Sequence, residues 1–372
     1  MSNMRLASVA GMLIAGVLVF PCGPARACNV PVFRYALERW PPAPYEVLVF
    51  HCGPLAAADQ EALEHLRKLG RTADPFAPIA LRTVDLNYTD DAEAQQLWQS
   101  HQGATLPWII ARYPHYIGVT EPFFGGPLTQ EVAARLLDSP VRRRIARDLL
   151  EGQTAVFVLL ESVAREKDDA AAALLEKELK RLSEELKVPD LSPGQWDDPV
   201  YDAQGPPMLR IAFSVVRLAR TAPEERAFVQ MLLGPGVPEA LAQGPVVFPF
   251  FGRGRALCAI PQADLSPERL EAECEFLVGP CSCIVKDQSP GLDMLMAVDW
   301  DAALEGQPSA IPVVDPPPVT GTSEFASGKP EPTIGWDAWR MVRRAVAAVI
   351  IGFGVLTVIV MVWRKRRERK ST

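Results

Sequence analysis

The chain has 372 residues, of which 48% are hydrophobic and 22% are charged, and its net charge is −7. This length exceeds a single typical domain, and the composition is that of a folded protein. Most acidic residues lie between residues 28 and 335, which we call the outer part. An acidic surface repels nucleic acids and anionic lipids, so neither is an expected partner.

The N-terminus reads as an export signal. Arg5 precedes an apolar run over 6–20, and small residues follow, ending at Ala27 before Cys28. A basic start, a short apolar core and an A-x-A site predict a signal peptide over 1–27, cleaved after Ala27. An uncleaved anchor and lipid attachment at Cys28 are the alternatives.

The C-terminal region predicts a membrane anchor. Residues 345–363 read AVAAVIIGFGVLTVIVMVW, and basic residues crowd 364–372. We predict a transmembrane helix over 341–363 and a cytoplasmic tail over 364–372. The stretch 304–340 is rich in Pro and Gly and predicts a stalk. The protein is therefore expected in the cell membrane as a single-pass protein, with its N-terminal bulk extracytoplasmic.

Residues 28–150 predict a first α/β unit with the order βαβαββα. Apolar runs that end in Gly or Pro alternate with segments of helical periodicity. The predicted strands lie at 45–50, 79–86, 108–111 and 117–119, and the helices at 58–69, 94–98 and 129–137. Such an order indicates a mixed sheet with helices on both faces.

Several strings in this unit look like thioredoxin: VDLNYTDDAEAQQLW, GATLPWIIARYP and PLTQEVAARLLDSP. The resemblance covers about 45–140 and implies a thioredoxin-like unit with Pro107 in the cis-proline position. Thioredoxin has W-C-G-P-C after its first strand, whereas this chain has His51-Cys52-Gly53-Pro54-Leu55. One cysteine is kept, and the second is replaced by Leu55.

We interpret residues 151–303 as a repeat of this plan, and we therefore predict an α/β fold with two tandem thioredoxin-like units and one C-terminal transmembrane helix. Pro245 takes the cis-proline position of the second unit, and no cysteine follows its first strand. The predicted strands lie at 155–160 and 209–218, then at a segment opened by Gly244-Pro245-Val246-Val247, and at 256–260. The predicted helices lie at 168–186 and 224–232, and a closing helix starts at Ser266-Pro267-Glu268.

Cys52 and Pro107 are the candidate catalytic residues. A thiol at a helix N-terminus becomes a better nucleophile because the helix dipole stabilises the thiolate. Pro107 would shape the wall beside it. The alternative is an inert thiol or half of a structural disulfide, with Cys28 as a mate. Without a second cysteine, the chain cannot resolve a mixed disulfide by itself.

Cys281-Ser282-Cys283 forms a second candidate thiol site. Such a pair can bridge to Cys258 or Cys274, close a strained disulfide, or bind a soft metal. The four histidines lack ligand spacing, and we expect no cofactor. Gly252-Arg253-Gly254-Arg255 predicts a tight turn, and the glycosylation triplet at Asn87 is interpreted as chance.

These patterns favour a non-enzymatic scaffold or adaptor that binds another envelope or membrane protein, because both units lack C-x-x-C. The alternatives are a thiol-disulfide oxidoreductase that uses Cys52 or the Cys281/Cys283 pair, and a soft-metal carrier on the same cysteines. Fold alone does not decide among them.

Overall fold

The computed structural model describes residues 30–70, 77–101, 103–188, 209–235, 243–280, 286 and 289–305. The described residues all fall within a compact unit that ends at Val314. The predicted signal peptide and transmembrane helix, most of the stalk, and Cys28, Cys281 and Cys283 lie outside this part of the chain. Within it, no helix is both long and apolar enough to cross a membrane.

The first half of the described chain forms a four-stranded sheet. Its elements are α1 Val32–Arg39, β1 Tyr45–His51, α2 Ala57–Gly70, β2 Ile79–Asp85, α3 Ala92–Gln99, β3 Trp108–Arg112, β4 Phe124–Pro127 and α4 Gln130–Leu137. The strand order is β2-β1-β3-β4. Thr129 caps α4 by accepting the Val132 N–H at 3.1 Å, as the predicted helix start requires.

The second half forms a larger sheet in the order β10-β8-β7-β5-β6, with β9 also paired to β7. Its elements are α5 Pro140–Leu150, β5 Ala155–Leu160, α6 Arg165–Glu185, β6 Phe213–Leu218, α7 Arg226–Leu233, β7 Val246–Phe251, β8 Arg255–Ala256, β9 Ile260–Pro261, α8 Pro267–Val278, β10 Leu292–Asp293 and α9 Trp300–Leu304.

The two sheets share one central arrangement. Strand β1 is parallel to β2 and antiparallel to β3, and β5 is likewise parallel to β6 and antiparallel to β7. The predicted α/β class, with two mixed sheets and flanking helices, is therefore confirmed.

Two predicted strands are wrong. The stretch 117–119 is not a strand, because His115–Ile117 forms a short 3-10 helix that ends at Gly118 with φ 73°. The fourth strand begins later, at Phe124, within a Gly-rich FGGP string that carries no β-forming pattern. The predicted strand 256–260 is split into β8 and β9, because the stretch from Ala256 to Ile260 has one residue more than the facing part of β7, which is a β-bulge.

The two proline predictions have opposite outcomes. The Leu106–Pro107 bond is cis, as expected, and no other peptide bond among the described residues is cis. Gly244–Pro245 is therefore trans, contrary to expectation. Both prolines nevertheless act alike, since Pro107 O accepts from Leu128 N and Pro245 O from Gln262 N. Trans is the ordinary state of an X–Pro bond, and an equivalent place in the strand order does not override it.

The two sheets share one hydrophobic core. Strands alternate their side chains, so one face of β1 carries Val47 and Val49 and one face of β5 carries Val156 and Val158. All four belong to the same buried cluster, together with Phe228 of α7. The other face of β5 packs against α1, α6 and α8 in a second cluster. The halves thus form one packed body.

Two helices that precede the second sheet in sequence pack against it. Helix α1 contacts β7 and α8, and α5 contacts β5 and β6. The first sheet therefore contributes only part of what stabilises residues 30–150.

Candidate functional site

Cys52 lies at the carboxyl end of β1, which is parallel to β2. In α/β sheets ligands bind at this end of the strands. The side chain is exposed, and the turn it begins continues through Gly53, whose φ is 67°. Helix α2 begins only at Ala57. Cys52 therefore does not lie at the helix N-terminus, contrary to the prediction.

The Cys52 turn is held by the loop that follows β2. Cys52 Sγ donates to Asn87 Oδ1 at 3.4 Å. Asp85 Oδ1 accepts the Asn87 N–H at 3.0 Å and the Gly53 N–H at 3.2 Å. These backbone hydrogen bonds lower the pKa of Asp85, and the bond from Asn87 has the larger effect. The carboxylate of Asp85 therefore joins the two loops at this end of the sheet.

His51 faces the same carboxylate. Its Nδ1 lies 2.8 Å from Gly53 O and 4.0 Å from Asp85 Oδ2. A carbonyl oxygen can only accept, so this hydrogen bond requires the proton on Nδ1. His51 also lines the open groove beside β2.

Pro107 and Cys52 lie at the same end of the first sheet. Phe50 pairs with Trp108 across β1 and β3, and Pro107 directly precedes Trp108. Leu55, three residues after Cys52, is half-buried and packs against the shared core.

The two described cysteines of the second half are in a different environment. Cys274 is buried in α8, and Cys258 is half-buried with Arg269 Nη2 at 3.7 Å from its sulfur. Burial raises the pKa of Cys258 to about 11 and that of Cys274 to about 12. Both stay protonated at neutral pH and are poor nucleophiles. Among the described residues both are free thiols, and their predicted partners lie outside that part of the chain.

A groove runs from the Cys52 turn along β2, beneath α2. It consists of two adjoining cavities of about 350 and 290 Å³. Arg67 and Thr83 line both cavities, while Leu81 lines the second. Our sequence interpretation missed this groove. The sequence feature that could have indicated the groove is the alternation of Ile79, Leu81 and Thr83 along β2, which lies at the edge of its sheet.

Buried arginines were also missed. The Gly252–Arg255 turn forms as predicted, but Arg253 and Arg255 point inward. Arg253 Nε donates to Leu37 O at 2.8 Å, and Arg255 Nη1 donates to Asp293 Oδ1 at 2.9 Å. Their partners lie far away in sequence, so no local pattern could reveal them. This turn stabilises the packing of α1 and β10 rather than forming a ligand site.

Within the described ranges, no group of three or more side chains is arranged to hold a metal ion. No protein-family model matches this chain, and a search of curated proteins finds no match. The function must therefore be argued from the site itself.

Proposed function

We propose that this chain is a membrane-anchored, extracytoplasmic scaffold of two tandem thioredoxin-like units that binds another envelope or membrane protein. The observation that carries this proposal is Leu55, half-buried where dithiol exchange needs a second sulfur. The repeated pairing around β1 and β5 and the cis bond before Pro107 support the thioredoxin-like part.

The thiols of the described chain favour binding over exchange. A single exposed cysteine can form a mixed disulfide but cannot release it without a second thiol. Cys258 and Cys274 do not supply one, because both are in the second half and remain protonated at neutral pH. The predicted anchor over 341–363 and signal over 1–27 lie outside the described residues and support the location by their sequence alone.

A second candidate function is a monothiol oxidoreductase. It is favoured by the exposure of Cys52 and by the polar groups around it, Asn87, Asp85 and His51. In that reaction the Cys52 thiolate attacks a substrate disulfide and one substrate sulfur leaves as a thiolate. An external thiol such as glutathione must then release Cys52.

A reductase assay on the full-length protein in detergent distinguishes the two. Reduction of an insulin disulfide is followed with glutathione as the external thiol, for the wild type and for Cys52→Ser. A scaffold predicts equal rates for both proteins, no higher than the buffer rate. Turnover that disappears in Cys52→Ser would establish the monothiol function and overturn the scaffold.

The location has its own test. In sealed membrane vesicles with the cytoplasmic side outward, added protease should remove an epitope placed after Thr372 and leave residues 28–335 intact. Digestion of the outer part in unbroken vesicles would contradict the proposed topology.

A further inference from the structure

We propose that β2 and the groove beside it bind an extended peptide segment of a partner protein, which adds to the first sheet as a further strand. We propose also that an acidic side chain of that peptide pairs with Arg67. This inference rests on the proposed scaffold function, since it names the surface through which the scaffold acts.

Part of the β2 backbone has no hydrogen-bonding partner within the described part of the chain. There, strand β2 is at the edge of its sheet and pairs with β1 alone. Tyr45 N donates to Pro78 O, and Leu86 N donates to His51 O. In a parallel pair this pattern directs the even-numbered residues of β2 toward β1 and the odd-numbered residues away from it. The N–H and C=O groups of Leu81 and Thr83 therefore face outward.

At each of the two neighbouring outward positions, one backbone group is already hydrogen-bonded. Ile79 N donates to Ala77 O, and Asp85 O accepts from Tyr88 N. For Leu81 and Thr83, no hydrogen bond of these outward groups occurs among the described residues. Unpaired groups on an edge strand are the template that strand addition uses.

The side chains of the same residues form the floor of the groove. Leu81 pairs with Val47 and Thr83 with Val49, which places these side chains on the sheet face that α2 covers. The two cavities meet at Thr83 and Arg67. Alternate residues of an added strand lie about 7 Å apart, so two successive side chains on one face of the peptide would enter the two cavities.

Charge indicates which peptide fits. Arg67 lies where the cavities meet, and its ion pair with Glu64 joins side chains that are 41% and 67% exposed. An exposed pair of this kind contributes little, so a peptide carboxylate can replace Glu64 at low cost. A partner segment with an acidic residue next to small or apolar ones satisfies both Arg67 and Leu81.

A second copy of the chain fits less well. If two copies paired through β2, the acidic side chain on the groove face of that strand would be Asp85. Its Oδ1 already accepts from Gly53 and Asn87. The occupant we propose is therefore a segment of a different protein.

The first arm of the test measures the edge itself. Residue-resolved hydrogen exchange on the full-length protein in detergent should show fast exchange for the Leu81 and Thr83 amides. The Ala80 and Arg82 amides, which face β1, should exchange slowly. Protection of Leu81 and Thr83 in the protein without added peptide would overturn the proposal, because the edge would already be covered.

The second arm uses a displayed library of random decapeptides, selected on full-length Cys52→Ser so that thiol capture cannot contribute. Selected peptides should contain an acidic residue and should bind Arg67→Glu at least about tenfold more weakly. Lys68→Glu makes the same charge change at an exposed neighbour outside the groove and should bind normally. Thr83→Pro removes an outward N–H without removing a bond to β1, and it should also weaken binding.

The outcomes separate this inference from the proposed function. If the selected peptides bind wild type, Arg67→Glu and Thr83→Pro equally, the proposed groove site is rejected, whereas the scaffold function stands with a different binding surface. An absence of enriched peptides, or dimers that Thr83→Pro dissociates, would also reject a partner peptide in this groove. Cys52-dependent turnover in the insulin assay would reject the scaffold whatever the peptides do.

Discussion

The two sheets have the same central strand order but differ in how much of it is covered. All residues of β5 and β7 are buried, and their two faces belong to two separate clusters. In the first sheet β1 is buried to a similar degree, and the edge strands β2 and β6 are partly exposed in both sheets. The sheets differ on their outer faces: α1, α6 and α8 cover that of the second sheet, whereas a smaller cluster with α3 covers that of the first sheet among the described residues.

The turns after the two central strands also differ. After β5, Ser162 donates its N–H and its hydroxyl to Asp168 Oδ1, each at 2.8 Å, so the turn is fixed to the helix that follows. After β1, the Cys52 turn is instead fixed to the loop after β2 through Asp85. The Cys52 turn is therefore coupled to the edge strand β2.

The largest effect is expected where the halves join. Arg142 is fully buried, and burial lowers its pKa to about 10, so it stays charged at neutral pH. Its guanidinium donates to Leu136 O, Arg135 O and Leu295 O, which come from both halves. Arg142→Met leaves these carbonyls without a donor and should lower the free energy of unfolding by about 3 kcal/mol or more in urea titrations.

Arg143→Met is the control for this change. Arg143 is exposed and pairs with Asp138, so its loss should cost no more than about 1 kcal/mol. Equal effects of the two variants would show that the joint contributes no special stability.

A second variant tests the strand that only the second sheet has. Gly291 precedes β10 with φ 106°, and a Cβ there would lie 2.4 Å from Ala256 O. Gly291→Ala adds a backbone clash to the strain of a positive φ and should cost about 2 to 4 kcal/mol. Gly152→Ala has a positive φ of 94° and open space, so it should cost about 1 kcal/mol. Thermal or urea unfolding that ranks them equally would contradict a packed β10.

The buried thiols of the second half predict a loss of stability in alkali. Burial raises the pKa of Cys274 from 9.0 to about 12, so its contribution is complete below pH 9 and is lost as the pH rises toward 12. The free energy of unfolding, measured with reductant present, should fall by about 1 kcal/mol per buried thiol between pH 9 and 10.

Variants assign this loss to the thiols. Cys274→Ala should remove about 1 kcal/mol of the loss between pH 9 and 10. Cys258→Ala, whose thiol has a pKa of about 11, should also make the pH slope shallower. Slopes identical to the wild type would show that these thiols do not titrate on unfolding.

The smallest effect is expected at the Cys52 turn. Asp85→Ala removes the acceptor for Gly53 N and Asn87 N in a half-buried turn and should lower the free energy of unfolding only slightly. Because this carboxylate holds the turn, alkylation of Cys52 should become faster, as measured by mass spectrometry. Thr89→Ala, in the same loop, serves as the control. An unchanged Cys52 rate in Asp85→Ala would show that the turn holds its shape without Asp85.

The sequence predicted the elements whose signals are local. The succession of helices and strands along the chain, the Thr129 cap and the place of Cys52 at a strand end follow from periodicity and punctuation within a few residues. Strand β10 and the partners of Arg142, Arg253 and Arg255 could not be predicted, because each depends on residues far along the chain. The open edge of β2 depends on the whole strand order, which no single segment encodes.

The packing of α1 has a consequence for the order of folding. Val32 N donates to Gly279 O, Arg253 Nε donates to Leu37 O, and Tyr45 Oη donates to Asp293 O. A chain synthesised from its N-terminus therefore makes α1 long before the surfaces that receive it. Contacts of such sequence separation slow folding. We expect α1 to remain a target for chaperones and proteases until synthesis has passed residue 293. A chain cut after Leu150 should therefore leave α1 exposed.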